Sequence, residues 1–328
     1  MKARLHRPTP ANLRRLAAVL REGGLVAIPT ETVYGLAAHA LDAKACRAIF
    51  RAKGRPAHDP LIVHVLDLAH AEQLAEFNDP ARHLARVFWP GPLTLVLPRK
   101  ACVPDIVTSG GPTVALRAPG HPLARRLLRL ARVPLAAPSA NPFSYISPTS
   151  AAHVRDGLGS RIPHILDGGE CPVGVESTVL DLTRPARPRV LRPGVISAAE
   201  LAKILRTKVT TVRSPGKRRA PLLAPGLLDR HYSPRTPLRI TTGGGASDIS
   251  DAALITLRRP KQETGAPIYW LSERGSLTEI ARNLYRVLRL ADAAGHRELL
   301  IELVPVAAGG LSAAINDRIR RAAAKRHA

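Results

Sequence analysis

The stretch Leu25-Val-Ala-Ile-Pro-Thr-Glu-Thr-Val-Tyr-Gly-Leu36 decides the fold of this chain. Its first four residues form an apolar run that predicts a short buried strand, which Pro29 stops. Thr30-Glu-Thr32 then places hydroxyl groups directly after the strand. Because an open α/β sheet presents its binding groups at the ends of its strands, this stretch predicts such a sheet with a polar site at one edge.

The same pattern, an apolar run that stops at polar residues, recurs along the first 200 residues. Strands are predicted over residues 25–28, 61–65, 93–97, 113–116, 135–137, 164–167 and 177–181. Helices are predicted over residues 10–22, 42–52, 67–77, 80–88, 121–131, 149–156 and 197–205. This alternation indicates an α/β fold, and the irregular helix lengths favour an open, twisted, mixed sheet.

Residues 206–237 break this alternation, because they are rich in proline, glycine and basic side chains, a composition typical of a linker. A second and smaller α/β unit, Rossmann-like, is predicted after it. Its strands fall at 238–240, 253–257, 268–271 and 299–303, and its helices at 276–290 and 311–324. The predicted organisation is therefore a first domain over 1–205, a linker over 206–237 and a second domain over 238–328.

The chain carries 49 basic and 25 acidic residues, a formal net charge of +24. Such a balance favours a polyanionic ligand, either a nucleoside triphosphate, tRNA or both. The excess of arginine with abundant alanine is also typical of a GC-rich genome, so charge alone leaves both interpretations open.

Several classes are excluded by what the sequence lacks. Three widely spaced cysteines give neither a disulfide framework nor a metal spacing. No apolar run approaches the roughly 20 residues of a membrane span, and the N-terminus has no apolar signal core, so cytoplasm is expected. Without a Walker loop, HExxH, nucleophile elbow or CxxC pair, the chemistry is expected to rest on positioning and electrostatics.

Lys53 and Arg55 are two residues apart beside Gly54 and Pro56, which favour a non-helical stretch. In extended backbone both side chains point to one side, where a point charge and a planar fork suit phosphate. The alternative is a solvated helix C-terminus whose cations complement the helix dipole.

At two further sites the sequence also leaves open whether the residues bind a ligand or only stabilise the fold. Ser139 and Asn141 follow a predicted strand and project to one side, although an ordinary polar turn would look the same. His64 lies within an apolar strand, where a hydrogen-bonded core histidine is the alternative to a ligand-binding one.

Seven short motifs carry a resemblance to a known family. They are Pro29-Thr-Glu-Thr-Val-Tyr-Gly-Leu36, Lys53-Gly-Arg-Pro56, Leu61-Ile-Val-His64, Pro112-Thr-Val-Ala-Leu-Arg117, Pro138-Ser-Ala-Asn141, Glu176-Ser-Thr-Val179 and Arg192-Pro-Gly194. In this order they resemble the YrdC-type family and, within it, the longer L-threonylcarbamoyladenylate synthases with an extra C-terminal domain. The resemblance is strong over roughly residues 10–200 and weaker beyond, and it implies a YrdC-like sheet with a basic cleft.

The resemblance also implies roles for individual residues. Lys53 and Arg55 match the catalytic motif. The ATP-binding positions are Arg55, Asp59, Thr113, Ser139, Asn141, Ser147, Arg192, His231 and Tyr232, and the threonine-binding positions are Thr32, His64, Arg117 and Ser177. Arg117 suits a carboxylate, which it can hold bidentately. Ser147 has an alternative as the cap of the helix that follows.

One departure concerns Asp59, where the family usually has asparagine. A carboxylate beside a triphosphate would repel it unless a magnesium ion lay between them, and Mg²⁺ is expected with ATP. No metal ligands can be assigned from the sequence.

The implied reaction joins L-threonine, bicarbonate and ATP to L-threonylcarbamoyl-AMP and releases pyrophosphate. The product would pass to a tRNA threonylcarbamoyl transferase complex that modifies the adenosine next to the anticodon in tRNAs reading codons beginning with A. Direct tRNA binding is expected to be weak or indirect, because aromatic residues are only 3% of the chain. The alternatives are a non-catalytic module that binds tRNA or double-stranded RNA, and a carbamoyl transferase on the same fold.

The linker contains Ala224-Pro-Gly-Leu-Leu-Asp-Arg-His-Tyr-Ser-Pro234, which resembles the linker motif of the long-form family. Either it is a plain tether, or His231 or Tyr232 folds over the cleft as a lid that excludes water from a labile adenylate.

Overall fold

Two sheets of unequal size organise the protein in a computed structural model, which describes residues 2–212, 231–241, 252–261, 267–305 and 310–324. The strands of the first part are β1 Arg4–His6, β2 Val26–Ile28, β3 Gly35–His39, β4 Ile62–His64, β5 Leu93–Pro98, β6 Thr113–Arg117, β7 Leu135–Ala136, β8 His164–Leu166, β9 Thr178–Asp181, β10 Arg189–Arg192 and β11 Thr210–Thr211. Its helices are α1 Pro10–Arg21, α2 Ala43–Lys53, α3 Leu68–Glu72, α4 Asp79–Phe88, α5 Asp105–Thr108, α6 Pro122–Ala131, α7 Ala151–Leu158 and α8 Ala198–Leu205.

These strands form one mixed sheet in the order β1-β8-β2-β3-β7-β4-β6-β5-β9-β10-β11. The sheet contains both parallel pairs, such as β4 with β6, and antiparallel pairs, such as β2 with β3. Helices α1 and α6 pack together on one core, and the larger core includes α2 and α4. The predicted mixed α/β sheet is confirmed.

Local signals set many of the boundaries. Helix α1 buries Leu13, Leu16, Ala17 and Leu20, the apolar stripe that its spacing predicts. Helix α2 begins where the Asp42 side chain accepts hydrogen bonds from two backbone amides, and it ends at Gly54 in the left-handed conformation.

The sequence-based prediction missed β1, β3, β10, β11 and α5, all of which are five residues or shorter. Strand β3 reads Gly-Leu-Ala-Ala-His, which lacks the β-branched and aromatic residues that signal a strand. The helix predicted over 67–77 is wrong beyond Glu72, because Ala75 pairs with Arg99 in an isolated β-bridge. That cross-strand contact outweighs the local helical pattern.

The second sheet comprises β12 Leu238–Thr241, β13 Ala252–Thr256, β14 Ile268–Trp270 and β15 Glu298–Glu302, with helices α9 Leu277–Ala293 and α10 Gly310–Ala322. Its described strands are all parallel, in the order β12-β15-β13-β14. Its hydrophobic core continues into the first part of the chain through Val33, Ile146 and Val175. The two sheets therefore share one packed boundary.

The predicted linker is only partly described. Residues 213–230, which include Ala224 to Arg230 of the linker motif, lie outside the described residues. On its near side, β11 pairs with β10 of the large sheet. On its far side, His231 and Tyr232 are buried, and Ser233 forms a bridge to Tyr145.

Candidate active site

A cleft lies over the middle of the large sheet. Its walls come from β4, from the last residue of β6 and from the segments that follow β2 and β7. Eight predicted site residues line it: Thr32, Arg55, His64, Arg117, Ser139, Arg192, His231 and Tyr232. The cleft is basic, as expected from the resemblance, because three of the eight are arginines.

Arg117 organises one end of the cleft. It ends β6 directly beside His64 at the end of β4, since the two residues are partners in the parallel register. Its Nη1 donates to Thr32 Oγ1 at 3.0 Å, and its Nη2 lies 2.7 Å from Glu31 Oε1. Burial acts to raise the pKa of Glu31, but the Arg117 charge outweighs it and holds that pKa below its usual value.

His64 is buried beside this ion pair. Burial, and then the charge of Arg117, lower the pKa of His64 to about 3, so its imidazole is neutral. Its Nδ1 has no hydrogen-bond partner among the described residues. His64 therefore retains an unused polar atom at the cleft wall.

Ser177 directly precedes β9, and its hydroxyl lies between Thr94 of β5 and Arg192 at the end of β10. Its hydroxyl is 2.7 Å from Thr94 Oγ1 and accepts from Arg192 Nη2 at 3.1 Å. Arg192 Nε also donates to the Ser177 carbonyl at 3.2 Å. Ser177 itself is fully buried and thus lies behind the lining.

Lys53 is placed differently from the geometry that its spacing suggested. It is the last residue of α2, so the extended backbone predicted for Lys53 and Arg55 is wrong, although the two cations still lie close enough for the charge of one to act on the other. Its buried Nζ donates to the carbonyls of Ser139 at 2.5 Å and Asn141 at 2.6 Å. Burial, and next the charge of Arg55, lower the pKa of Lys53 well below its usual value. The ammonium thus ties α2 to the loop after β7.

Arg55 is held by the segment that follows it. Its Nε and Nη2 donate to the carbonyls of Asp59 at 2.9 Å and Pro60 at 2.7 Å, and Nη2 lies 2.9 Å from Asp59 Oδ2. Asp59 is fully buried, and burial raises its pKa against the opposing charge of Arg55. The guanidinium is thereby presented to the cleft with its orientation fixed.

The loop after β7 carries the predicted Ser139 and Asn141. Ser139 is half-buried and pairs with Gly35 in a β-bridge, so its side chain borders the cleft. The Asn141 amide donates at 2.8 Å to the carbonyls of Pro142 and Tyr145 and so holds the turn that follows. The two side chains therefore do different things: one faces the cleft and the other braces the loop.

Ser147 and Thr113 both lie away from the lining. The Ser147 hydroxyl donates to Glu176 Oε1 at 2.7 Å, whereas Ser150 caps α7, so the capping alternative for Ser147 is wrong. Thr113 begins β6, four residues before Arg117. At about 3.3 Å per residue these two lie roughly 13 Å apart along the strand.

His231 and Tyr232 close one side of the cleft. Their ring centroids are 4.1 Å apart, and His231 also meets Phe143 edge-on. Burial, and then the charges of Arg55 and Lys53, hold the pKa of His231 well below its usual value. Both side chains thus border the cleft directly after the undescribed residues 213–230.

Three functional candidates were missing from the sequence-based set. Glu31 and Glu176 both lie within motifs singled out there, so the two buried carboxylates could have been found. Arg318, on α10, contacts Glu176, Pro193 and Tyr232. No local pattern marks it, because the contact joins residues far apart in sequence.

Among the described residues no group of three or more histidines, cysteines and acidic residues could hold a metal ion. Within the same ranges, no helix has the length and apolar character needed to cross a bilayer.

The fold and the cleft define an α/β protein with a basic site of two unlike ends, one built around an arginine–glutamate pair and the other around buried cations. Two family models match this chain: Sua5_yciO_yrdC, described as telomere recombination, over residues 18–194, and Sua5_C, the threonylcarbamoyl-AMP synthase C-terminal domain, over residues 196–324. The chain belongs to the Sua5–YciO–YrdC family, which confirms the resemblance.

Full-length relatives agree with this assignment. The chain is 41% identical to the threonylcarbamoyl-AMP synthase of Pyrococcus abyssi, covering 96% of this chain and 94% of the relative. It is 38% identical to that of Bacillus subtilis, covering 96% and 93%.

Solved structures give the same result for the fold. The P. abyssi Sua5 structure complexed with L-threonine matches with a TM-score of 0.89 at 39% identity, covering 98% of both chains. E. coli YciO matches 61% of this chain and 99% of its own with a TM-score of 0.54 at 23% identity, so it supports the fold alone.

Proposed function

We propose that this chain is an L-threonylcarbamoyl-AMP synthase, which joins L-threonine, bicarbonate and ATP and releases pyrophosphate. The observation that carries the proposal is the match over 98% of both chains to a Sua5 structure complexed with L-threonine. The unlike ends of the cleft support it, since the reaction must hold an amino acid and a triphosphate side by side.

The Arg117 end suits threonine. A substrate carboxylate can share the Arg117 guanidinium, which already contacts Thr32 and Glu31. The neutral His64 offers an unused ring nitrogen at the same wall. Ser177 would act from behind, because Thr94 and Arg192 fix its hydroxyl.

The Arg55 end suits ATP. Arg55 and Arg192 line the cleft there and would meet the phosphates directly, and Ser139 would meet the nucleotide. Lys53 contributes charge from behind while its ammonium holds the loop carrying Ser139 and Asn141. Asp59 and Ser147 would act through Arg55 and Glu176, and His231 and Tyr232 would cover the nucleotide as a lid. Thr113 keeps its nucleotide-side assignment only by the resemblance.

In the reaction that this arrangement supports, threonine's amine and bicarbonate condense to a carbamate and release water. A carbamate oxygen then attacks the α-phosphorus of ATP, and the bond to the departing pyrophosphate breaks. Charge develops on the phosphate oxygens, so fixed cations at the Arg55 end would lower the barrier without reorganising. Arg117 would keep the amino acid in line for the attack.

Mg²⁺ is proposed to enter with the triphosphate. The described residues do not supply a separate site for it, because Asp59, the carboxylate beside Arg55, is fully buried outside the cleft lining and is ion-paired with Arg55. The bound ion would neutralise charge on the phosphates.

The product is proposed to pass to a tRNA threonylcarbamoyl transferase complex in the cytoplasm, for modification of the adenosine next to the anticodon in tRNAs reading codons beginning with A. A carbamoyl transferase and a purely RNA-binding module are not favoured. Phosphate-backbone binding would have no use for the arrangement of Thr32, His64 and Arg117 in the cleft.

The deciding experiment incubates the full chain with ATP, threonine and bicarbonate and follows the nucleotides by chromatography. We expect threonylcarbamoyl-AMP and pyrophosphate in equal amounts, and no adenylate when threonine is omitted. Serine in place of threonine is the specificity control. ATP hydrolysis to ADP and phosphate, or no turnover at all, would contradict the proposal.

A further inference from the structure

Arg318 is a guanidinium from the second sheet's helix α10, and its side chain is completely buried. Its Nε lies 2.9 Å from Glu176 Oε2. Its Nη1 donates to the Pro193 carbonyl at 2.6 Å, and its guanidinium carbon lies 5.5 Å from the centre of the Tyr232 ring. One side chain thus contacts three separate segments of the first part of the chain and of the linker's far end.

Each contacted segment carries or adjoins a residue assigned to the cleft. Glu176 lines the cleft and precedes Ser177, and Pro193 follows Arg192. Tyr232 itself lines the cleft beside His231. Arg318 is therefore in direct contact with three separate parts of the cleft wall.

Tyr232 is the segment that most needs such support. Its φ of +63° is in the left-handed region, which residues other than glycine, asparagine and aspartate seldom adopt. Its hydroxyl has no hydrogen-bond partner among the described residues. The ring is instead held by contacts with other planar groups. The Arg318 guanidinium lies over it, and the rings of Tyr285 and His231 pack against it.

The Glu176 carboxylate is the second group that Arg318 holds in place. It accepts from Ser147 at 2.7 Å, from Tyr285 at 2.9 Å and from Arg318. Two of these three partners, Tyr285 and Arg318, belong to the second sheet's helices. Arg318 Nη1 also lies 3.0 Å from Asp317 on the same helix, but Asp317 pairs with Arg321 as well, so Glu176 is the carboxylate that Arg318 contacts across the two sheets.

We propose that Arg318 is a positioning residue for the nucleotide end of the cleft: it locks Tyr232, Glu176 and the Arg192–Pro193 turn in the arrangement that receives ATP. The inference rests on the proposed function for the identity of the nucleotide. It gives the second domain a direct part in the site, since its last described helix completes the wall.

The test compares Arg318→Met and Arg318→Lys with Asp292→Ala in the full chain. Asp292 is a matched control, because it also joins the two parts of the protein, accepting from Tyr145 and from the Thr236 amide, but none of its hydrogen bonds is to Glu176, Pro193 or Tyr232. Two readouts are used: ATP affinity by calorimetry, and the KM values for ATP and threonine from pyrophosphate release. Thermal unfolding reports the stability of each variant.

We expect Arg318→Met to weaken ATP binding and raise the ATP KM at least tenfold, with the threonine KM changed less than threefold. Arg318→Lys keeps the charge but not the planar fork, so it should remain at least fivefold impaired. Asp292→Ala should lower the unfolding temperature and leave both KM values within twofold.

The positioning role is overturned if folded Arg318→Lys binds ATP as the Asp292→Ala variant does. It is equally overturned if the ATP and threonine KM values rise together in proportion to lost stability. If Arg318→Met does not fold, the lysine variant decides. Should the wild type bind ATP but form no adenylate, the proposed function fails, while the affinity comparison still decides the role of Arg318.

Discussion

The two ends of the cleft differ in how their charges are compensated. At the Arg117 end, one arginine faces one carboxylate, Glu31, at 2.7 Å. At the Arg55 end, Arg55 and Lys53 lie near a single carboxylate, Asp59, and Lys53 is held by carbonyl oxygens. Carbonyl dipoles stabilise a cation without cancelling its charge, so this end keeps a positive potential.

This difference matches the ligands proposed for each end. A zwitterionic amino acid needs a pocket whose charges balance and whose donors fix orientation. A triphosphate needs an uncompensated positive field, which is stronger where water is excluded. The two ends also differ in origin: the first is built by adjacent strand ends, the second by segments from both parts of the protein.

The largest effect is expected from Arg55→Met. This substitution removes a cation from the phosphate end and so reduces the difference in charge between the two ends of the cleft. Each charge-assisted hydrogen bond contributes about 1.5–3 kcal/mol, so kcat/KM for ATP should fall by about 100-fold. Pyrophosphate release at varied ATP measures it. Arg51→Met, at an exposed position of helix α2 four residues before Arg55, is the control and should behave as wild type. Near-normal turnover of the Arg55 variant would remove this residue from the phosphate site.

The next largest effect tests the opposite end. Arg117→Met should raise the threonine KM by roughly tenfold or more, because the substrate carboxylate loses a bidentate donor, and the ATP KM should change less than about threefold. Since the substitution leaves Glu31 buried without its partner, the double variant Arg117→Met/Glu31→Gln separates that cost from lost binding. Equal shifts in both KM values would place Arg117 on the nucleotide.

The pH dependence of stability tests whether His64, at the Arg117 end of the cleft, is buried in its neutral form. Its pKa in the folded protein is about 3, whereas an unfolded histidine has a pKa of about 6.5. Between these values the unfolded chain binds a proton that the folded chain does not, so the stability contribution is complete above pH 6.5 and is lost as the pH falls. By pH 5 the loss is about 2 kcal/mol.

Urea unfolding at pH 7 and pH 5 measures this loss. The His64→Gln variant should lose about 2 kcal/mol less than wild type over that interval. Substitution of the exposed His83 by glutamine provides the control and should leave the pH dependence unchanged. A wild-type pH profile in the His64 variant would mean that this imidazole has the same pKa in the folded and the unfolded chain.

The smallest effect is expected from Asp59→Asn, which restores the residue usual in the family. An asparagine can still accept from Arg55, so the guanidinium should keep its place and the ATP KM should stay within about threefold of wild type or fall. Titration of Mg²⁺ against pyrophosphate release checks the metal role. A loss beyond tenfold, with a raised Mg²⁺ requirement, would assign Asp59 to the metal.

Much of the first sheet could be predicted from local pattern. The helical spacing of α1, the caps of α2 and the apolar runs of β2, β4 and β6 are interactions within a few residues, and each appears as predicted. The short strand β3 and the early end of α3 could not be predicted, because contacts with distant segments decide them. At the site, motif order placed Thr32, His64 and Arg117 correctly at or just after strand ends, but not the bonding of Lys53.

The sequence by itself determined the α/β class, the family and most residues of the cleft, since these depend on periodicity and on motifs that lie within short stretches. Only the tertiary structure decided which charges face one another: Arg117 with Glu31, Lys53 with two carbonyls, and Arg318 with Glu176 across 142 positions of chain. The physical reason is that an ionic or hydrogen-bonded contact depends on distance in space. Packing of the two sheets, not spacing along the chain, sets that distance.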